Sequence, residues 1–307
     1  MSEQTLKRIF GGLAVLVVLW LGSVWLSGRP RAGPPPDGGI AALFEDLNET
    51  IVSAIQIAGP VETVSLQESG GAWSVNGYRA DSIAVMRLQG ALAAAEVSGV
   101  VANNPSNHGR MGLVTDSAWA VDFTLADGGT KSVLVGEGGP IAPSAYVRLP
   151  DQDAVVVVSG DFRPSLIRPL VDWRDKTILQ VDSTAVVRLV FETDEGSHVA
   201  ERADSTWSVN GEPANAVTVF GVLQELSELL ALGFVEENGE VFEDSPRRVI
   251  ALGASGDTLG IVVVTGEATT QHARTPGGDV VFEIPSFRAD RVAPDIVTLR
   301  GAISGAP

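Results

Sequence analysis

The pentapeptide Trp-Ser-Val-Asn-Gly occurs twice in the chain, at 73–77 and at 207–211, 134 residues apart. At that constant offset the match extends on both sides. Thr50–Ile57 faces Thr184–Phe191, two runs rich in β-branched residues that predict strands. Turn residues follow in each copy, Gly59-Pro60 and Glu195-Gly196, and lead into a second short strand. The Trp-Ser-Val stretch is the third strand. It is closed by Asn76-Gly77 or Asn210-Gly211, a turn pair in which both residues tolerate positive φ. Asp81 and Asn215 then stand at the same place as helix N-caps. Behind them Val85, Leu88, Leu92 and Ala95, and Val219, Val222, Leu226 and Leu230, recur at helical spacing. Three strands and a helix hold register without a gap, and this predicts an internal duplication.

Beyond the helix the copies drift in length but keep their order. Val121–Leu125 and Ser132–Gly136 predict a hairpin, matched by Val249–Leu252 and Ile261–Gly266. A second hairpin, Ala145–Leu149 with Ala154–Ser159, is matched by His272–Thr275 with Asp279–Ile284. Each copy closes on Phe-Arg, at Phe162-Arg163 and Phe287-Arg288. The expected class is α+β: two tandem duplicated units of mainly antiparallel sheet, each with a covering helix. Trp73 and Trp207 are expected as equivalent core residues beneath that helix. A carbohydrate-stacking platform is the alternative, but Gly, Ala, Ser and Thr surround both indoles, with no aromatics or amides to read a sugar.

The N-terminus limits location. Residues 9–27 are uncharged and mostly apolar, and at 1.5 Å per residue they reach roughly 28 Å, about a bilayer core. Trp25 sits where an interfacial aromatic belongs. A cleaved signal peptide is the alternative, although Val24-Trp25-Leu26-Ser27-Gly28 offers poor small-residue sites for it. The expected order is therefore a cytoplasmic tail at 1–8, a transmembrane helix at 9–27 and a Pro/Gly-rich spacer at 28–47. A first unit at 48–181 and a second at 182–307 follow. The expected place is the bacterial inner membrane, single-pass, with the large C-terminal part outside the cytoplasm.

Composition excludes several functions. The net charge is −17, which repels phosphate backbones and argues against nucleic-acid binding. With no cysteine, thiolate metal sites and cysteine nucleophiles are ruled out. His108, His198 and His272 are widely spaced, and no metal site is expected from them. Gly136-Glu137-Gly138-Gly139-Pro140 carries neither phosphate-loop pattern and reads as a hairpin connection. The acidic groups Asp151 with Asp153, and Glu236-Glu237 with Glu240 and Glu243, read as a hairpin tip and a solvated loop rather than paired catalytic carboxylates. No catalytic or cofactor-binding residue is expected. Trp173-Arg174-Asp175-Lys176, lying between the units, is read as an inter-unit junction, with partner docking as the alternative.

An ordered set of features also resembles a bacterial family known as domain of unknown function 4340. These are the strand-and-Trp opening (Ile51 to Val75), the Ala80-Asp81 helix start and the Met111-Gly112-Leu113 step. Val135-Gly136 before the Gly-rich loop, Tyr146-Val147-Arg148 and Trp173–Leu179 complete them. The second copy departs at two places, with Phe242–Pro246 for the Gly-Leu step and His272-Ala273-Arg274 for Tyr-Val-Arg. The resemblance implies an N-terminal tether and a role beside ABC-transport components of the gliding-motility type, with no catalytic residues to carry over. The expected function is a non-enzymatic scaffold or accessory subunit touching the membrane subunits of such a transporter. An exported ligand- or cell-wall-binding module, using a cleft between the units, is the second expectation.

Overall fold

The computed structural model describes residues 38–194, 196–235, 246–266 and 268–300. The expected tail, span and early spacer, and the acidic run at 236–243, lie outside the described residues. Among the described residues no helix is long and apolar enough to cross a membrane. The chain divides into two compact units between Arg174 and Asp175, rather than at 181/182.

The first unit begins with helix α1 (Gly38–Glu49). Residues 38–47 are thus not spacer. Ile40, Leu43, Phe44 and Leu47 recur at helical spacing, and all four are buried in the core. Phe44 meets Phe162 edge to face, with centroids 5.3 Å apart. A meander follows: β1 (Val52–Ala58), β2 (Thr63–Ser69), β3 (Ala72–Val75) and β4 (Tyr78–Arg79), leading into α2 (Ser82–Ala93). Then come β5 (Glu96–Ala102), β6 (Trp119–Leu125), β7 (Thr130–Gly138), β8 (Ser144–Arg148), β9 (Val155–Ser159) and α3 (Phe162–Leu166). The nine strands form one antiparallel sheet in the order β4-β3-β2-β1-β6-β7-β8-β9-β5.

The second unit opens with β10 (Thr177–Leu179), which pairs with β15 (Leu229–Leu230) as a small separate ribbon. Its meander is β11 (Arg188–Thr193), β12 (Gly196–Ala203), β13 (Thr206–Val209) and β14 (Glu212–Pro213), followed by α4 (Ala216–Ser227). After β15 come β16 (Gly233–Val235), β17 (Arg247–Leu252), β18 (Thr258–Thr265), β19 (Thr270–Arg274) and β20 (Val281–Pro285). Two short helices, α5 (Ser286–Val292) and α6 (Ile296–Arg300), finish it. Its main sheet also has nine strands, in the order β14-β13-β12-β11-β17-β18-β19-β20-β16.

Local chemistry accounts for the corresponding elements. Asn76 and Gly77 have φ of 48° and 84°, and Asn210 and Gly211 have 52° and 88°. Two successive positive values make the primed turn that matches strand twist. Each Asn side chain also extends the ladder. The Ser65 amide donates to Asn76 Oδ1 at 2.7 Å, and the Val199 amide to Asn210 Oδ1 at 2.9 Å. Asp81 caps α2 by accepting from the Ile83 and Ala84 amides, and Asn215 caps α4 by accepting from the Val217 and Thr218 amides. The cap residues are themselves held from behind: the Asp81 amide donates to the Trp173 carbonyl and the Asn215 amide to the Leu299 carbonyl, both at 2.8 Å. Val85, Leu88 and Leu92, and Val219, Val222 and Leu226, are the buried faces of the two helices.

Candidate functional site

The outer face of the second sheet, opposite its helices, carries the most site-like arrangement of polar groups. Glu192 pairs across the ladder with Arg248, Arg248 with Val263, and Val263 with Arg274. Directly paired residues point to the same side, so these four form a row across β11, β17, β18 and β19. Their sequence neighbours Phe191, Val249, Val262, Val264 and Ala273 are buried in the core, which sets the row on the opposite face. A cleft of about 660 Å³ lies over the row, rimmed by Asp194 on one side and by Pro276, Gly277, Gly278 and Asp279 on the other. Arg248 Nη1 donates to Glu192 at 3.2 Å. Its Nε is buried and has no partner.

The first unit uses the corresponding face differently. Through the same ladder positions Ala58, Ala120, Leu134 and Arg148 form the row. The segment 105–118 folds over it. Leu113 and Met111 join Ala102 and Val155 in a small second core, with Leu134 and Tyr146 packed against it. Arg148 fastens this cover by donating to the carbonyls of Leu113, Leu149, Pro150 and Gln152. His108, buried, bonds the Asp153 carbonyl through Nε2 at 3.0 Å. Gly136 permits the close approach: a Cβ there would lie 2.1 Å from the Met111 carbonyl oxygen. On the second sheet Thr265 stands at that ladder position, next to Val264 as Gly136 is next to Val135.

The residues singled out from sequence are distributed as follows. Trp73 and Trp207 occupy equivalent positions, each accepting from the amide seven residues on, Ala80 or Ala214, at 3.0 Å. Both indoles are half-buried, packed against their cores rather than enclosed by them. The reason is that β3 and β13 lie next to the two-residue edge strands, where the helix covers only part of the sheet. Among the described residues the wholly buried tryptophan is Trp173, the largest fully enclosed side chain of the first unit's core. It is therefore no exposed junction or docking residue. Arg168 lies 4.9 Å above its ring. Arg174 stacks on Tyr78 at 3.7 Å and bridges Ala80, within the first unit. Asp175 Oδ1 accepts from the Thr177 amide, and the Lys176 carbonyl accepts from the Ala231 amide, within the second. The four residues thus divide between the units.

The paired Phe-Arg endings are not equivalent either. Phe162 is wholly buried, whereas Phe287 is 61% exposed. Arg163 donates to the Gly136 carbonyl at 2.8 Å. Arg288 reaches the buried acid Glu225, which also accepts from Arg291 at 3.1 Å. Of the Gly-rich stretch 136–140, residues 136–138 end strand β7 and only 139–140 enter its connection to β8; Asp151 and Asp153 sit in the turn between β8 and β9. No group of three or more His, Asp or Glu able to hold a metal exists among the described residues. Two carboxyls titrate below their ordinary range. Asp295 does so because the Thr298 amide and hydroxyl bond it at the start of α6, and Asp182 because the Thr184 hydroxyl and amide do.

One surface feature escaped the sequence reading. On α2, Ile83 and Met86 are 53% and 62% exposed; on α4, Val217 and Phe220 are 80% and 67% exposed. These are the same helix positions in the two copies, one turn apart on the face away from the core. Periodicity marked the buried face, and the outward apolar residues were legible only as breaks in amphipathicity.

The order of elements, from the Trp73 strand through the Asp81 helix and the Arg148 hairpin into β17, coincides with one family profile. Residues 73–248, more than half of the chain, match the DUF4340 family, described as a domain of unknown function. The chain belongs to that family. The match starts at the first repeated Trp and ends at Arg248 in the cleft row, so it crosses from one unit into the other. Neither the curated proteins nor the solved structures contain a match.

Proposed function

We propose that this chain is a non-enzymatic, membrane-tethered extracytoplasmic scaffold or accessory subunit of an ABC-type, gliding-motility-like transport system. Residues 9–27 act as the anchor in the bacterial inner membrane, and two tandem copies of one duplicated unit stand outside the cytoplasm. The observation that carries the reading is the pair of outward apolar stripes, Ile83 with Met86 and Val217 with Phe220. Apolar residues that touch no core, placed alike in two copies, suit a surface that docks helices of a partner. The acidity elsewhere favours partners with basic exposed surfaces and makes that part of the association salt-sensitive.

Affinity isolation from detergent-solubilised membranes at low and high salt tests this. The expected result is co-isolation of the transporter's membrane subunits, lost in a Met86→Glu/Phe220→Glu double variant that keeps its thermal midpoint. Recovery of no transporter component, together with full function after deletion of residues 1–32, would falsify the scaffold reading. A second reading, an exported ligand- or cell-wall-binding module, is favoured by one observation, the arginine-containing cleft on the second sheet. In that reading the site lies within the second unit, on a sheet face, rather than between the units.

A further inference from the structure

We infer that the chain is a bivalent adaptor: each unit docks one apolar helix, and the two helices are copies of the same partner. This rests on the scaffold reading and gives that scaffold a valency of two. Each outward stripe has a third member that the duplication also repeats. The Asp81 amide donates to the Trp173 carbonyl and the Asn215 amide to the Leu299 carbonyl, so Trp173 and Leu299 stand at the same place in the two copies. Two residues before each is a valine, Val171 or Val297, 37% and 72% exposed. Val297 is brought beside the first turn of α4 by the Thr218 hydroxyl, which donates to the Thr298 carbonyl at 3.1 Å. Val171, in the turn Leu170–Asp172, stands correspondingly beside α2. Val171, Ile83 and Met86 thus repeat as Val297, Val217 and Phe220, all of them exposed. Elsewhere on these surfaces the same offset of 134 turns Tyr78-Arg79 into Glu212-Pro213 and Arg87 into Gly221. Every member of the triad stays apolar.

Charge and area define what docks. The chain carries 38 carboxylates, yet α2 has none, and the single one in α4, Glu225, is buried against Arg288 and Arg291. Arg87 is the one charge within α2. Faces cleared of carboxylates fit an occupant that is apolar at the contact and neutral or acidic at its margin. Each triad exposes on the order of a few hundred Å², against the ~800 Å² per partner that a stable globular interface buries. A triad therefore suits one helix, whose side chains at i, i+3 and i+4 cover such a patch, and not a folded domain. A contact of that size is weak alone. Two on one chain reinforce each other through effective concentration once the partner presents its helix twice. A homodimeric or internally duplicated partner does so.

The full chain, in a lipid nanodisc and labelled at its methionine methyls, is titrated with a neutral helical peptide. The peptide bears leucines at i, i+3, i+4 and i+7 and glutamines elsewhere. Met86 reports on the first unit, since Met111 is buried, and Phe220→Met supplies the matching reporter on the second. Two peptides per chain are expected by calorimetry, with both methyls half-saturating within about tenfold of each other. Met86→Glu should weaken binding to the first unit at least about tenfold, by burying an unpaired carboxylate, and spare the second. Val297→Glu should do the reverse. One peptide per chain, shifting one methyl only, overturns the bivalency and leaves the scaffold reading standing. Saturation of neither methyl up to about 10 mM peptide overturns both. Two further results assign the stripes to other occupants and overturn the inference. One is broadening of either methyl by a spin-labelled lipid before peptide is added. The other is binding at position 220 that begins only when residues 301–307 are removed.

Discussion

The outer faces of the two sheets start from corresponding strands and end differently. In the first unit a glycine, Gly136, lets the Met111 carbonyl press onto β7, and Leu113 seals a second small core over Leu134. In the second unit Thr265 stands at that position and the neighbouring row carries Glu192, Arg248 and Arg274. The missing Cβ at Gly136 is what lets the chain cover the first face so tightly. The helix-side faces differ less. Both are closed by an N-capped helix whose cap is held by a carbonyl from the end of the unit, although Trp173 supplies it in one case and Leu299 in the other.

The comparison breaks first at its two plugs. Trp173→Ala should cost roughly 3–5 kcal/mol and Leu299→Ala about 2–5 kcal/mol, since each empties a fully enclosed site. Chemical denaturation followed domain by domain should show each variant lowering only its own unit's midpoint. Equal losses in both units would mean that the cores are not independent.

Next comes the glycine. Gly136→Ala should destabilise the first unit by about 1–3 kcal/mol through overpacking and raise hydrogen exchange across 105–114. If the substitution proves neutral, the Met111 carbonyl does not press on β7 as closely as the missing Cβ of Gly136 allows.

The repeated turns should give smaller, matched effects. Asn76→Ala and Asn210→Ala each remove a positive-φ residue and its ladder bond, at about 1–2 kcal/mol apiece. Trp73→Ala and Trp207→Ala should likewise agree with each other, at about 1–3 kcal/mol, less than a fully buried aromatic because both rings are half-exposed. A difference beyond about 1 kcal/mol within either pair would show that the copies have diverged energetically.

The smallest effect is a pH effect specific to the second unit. Asp295 has a folded pKa below its ordinary value because the Thr298 amide and hydroxyl favour its charged form. A depressed carboxyl contributes stability that is complete above the ordinary carboxylate range and is lost as pH falls through the folded value. Acidification should therefore weaken the α6 cap, and with it the Leu299 carbonyl contact to α4. Asp295→Asn should flatten that acid limb slightly, by lowering the neutral-pH midpoint a little and leaving the acid one nearly unchanged. An unaltered limb would assign the acid sensitivity elsewhere.

Much of the architecture could be read in advance. The repeated pentapeptide located two meanders, because Asn-Gly admits few alternatives to a primed turn. Asp81 and Asn215 marked helix starts, because a side-chain acceptor there satisfies amides that nothing else can. Tyr146-Val147-Arg148 and His272-Ala273-Arg274 could be aligned, yet nothing in the first string shows that Arg148 bonds the carbonyls of Leu113 and the adjoining turn. The helix at 38–49 was hidden by the prolines before it. The transmembrane reading of 9–27 and the acidic run near 240 stay as sequence readings, outside the described residues.

By itself the sequence determined what depends on neighbours along the chain: strand alternation, turn type, helix caps and the family to which those features belong. Only the tertiary structure decided what depends on partners far away. It enclosed Trp173 and left Trp73 and Trp207 half-open, because burial is set by how far a helix reaches over a sheet. It turned Gly136 into the seat of a covering loop, because that role exists only when residue 111 arrives from another part of the chain. It also lined Arg248, Val263 and Arg274 into one row, because strand register, which local sequence does not encode, chooses which side chains share a face.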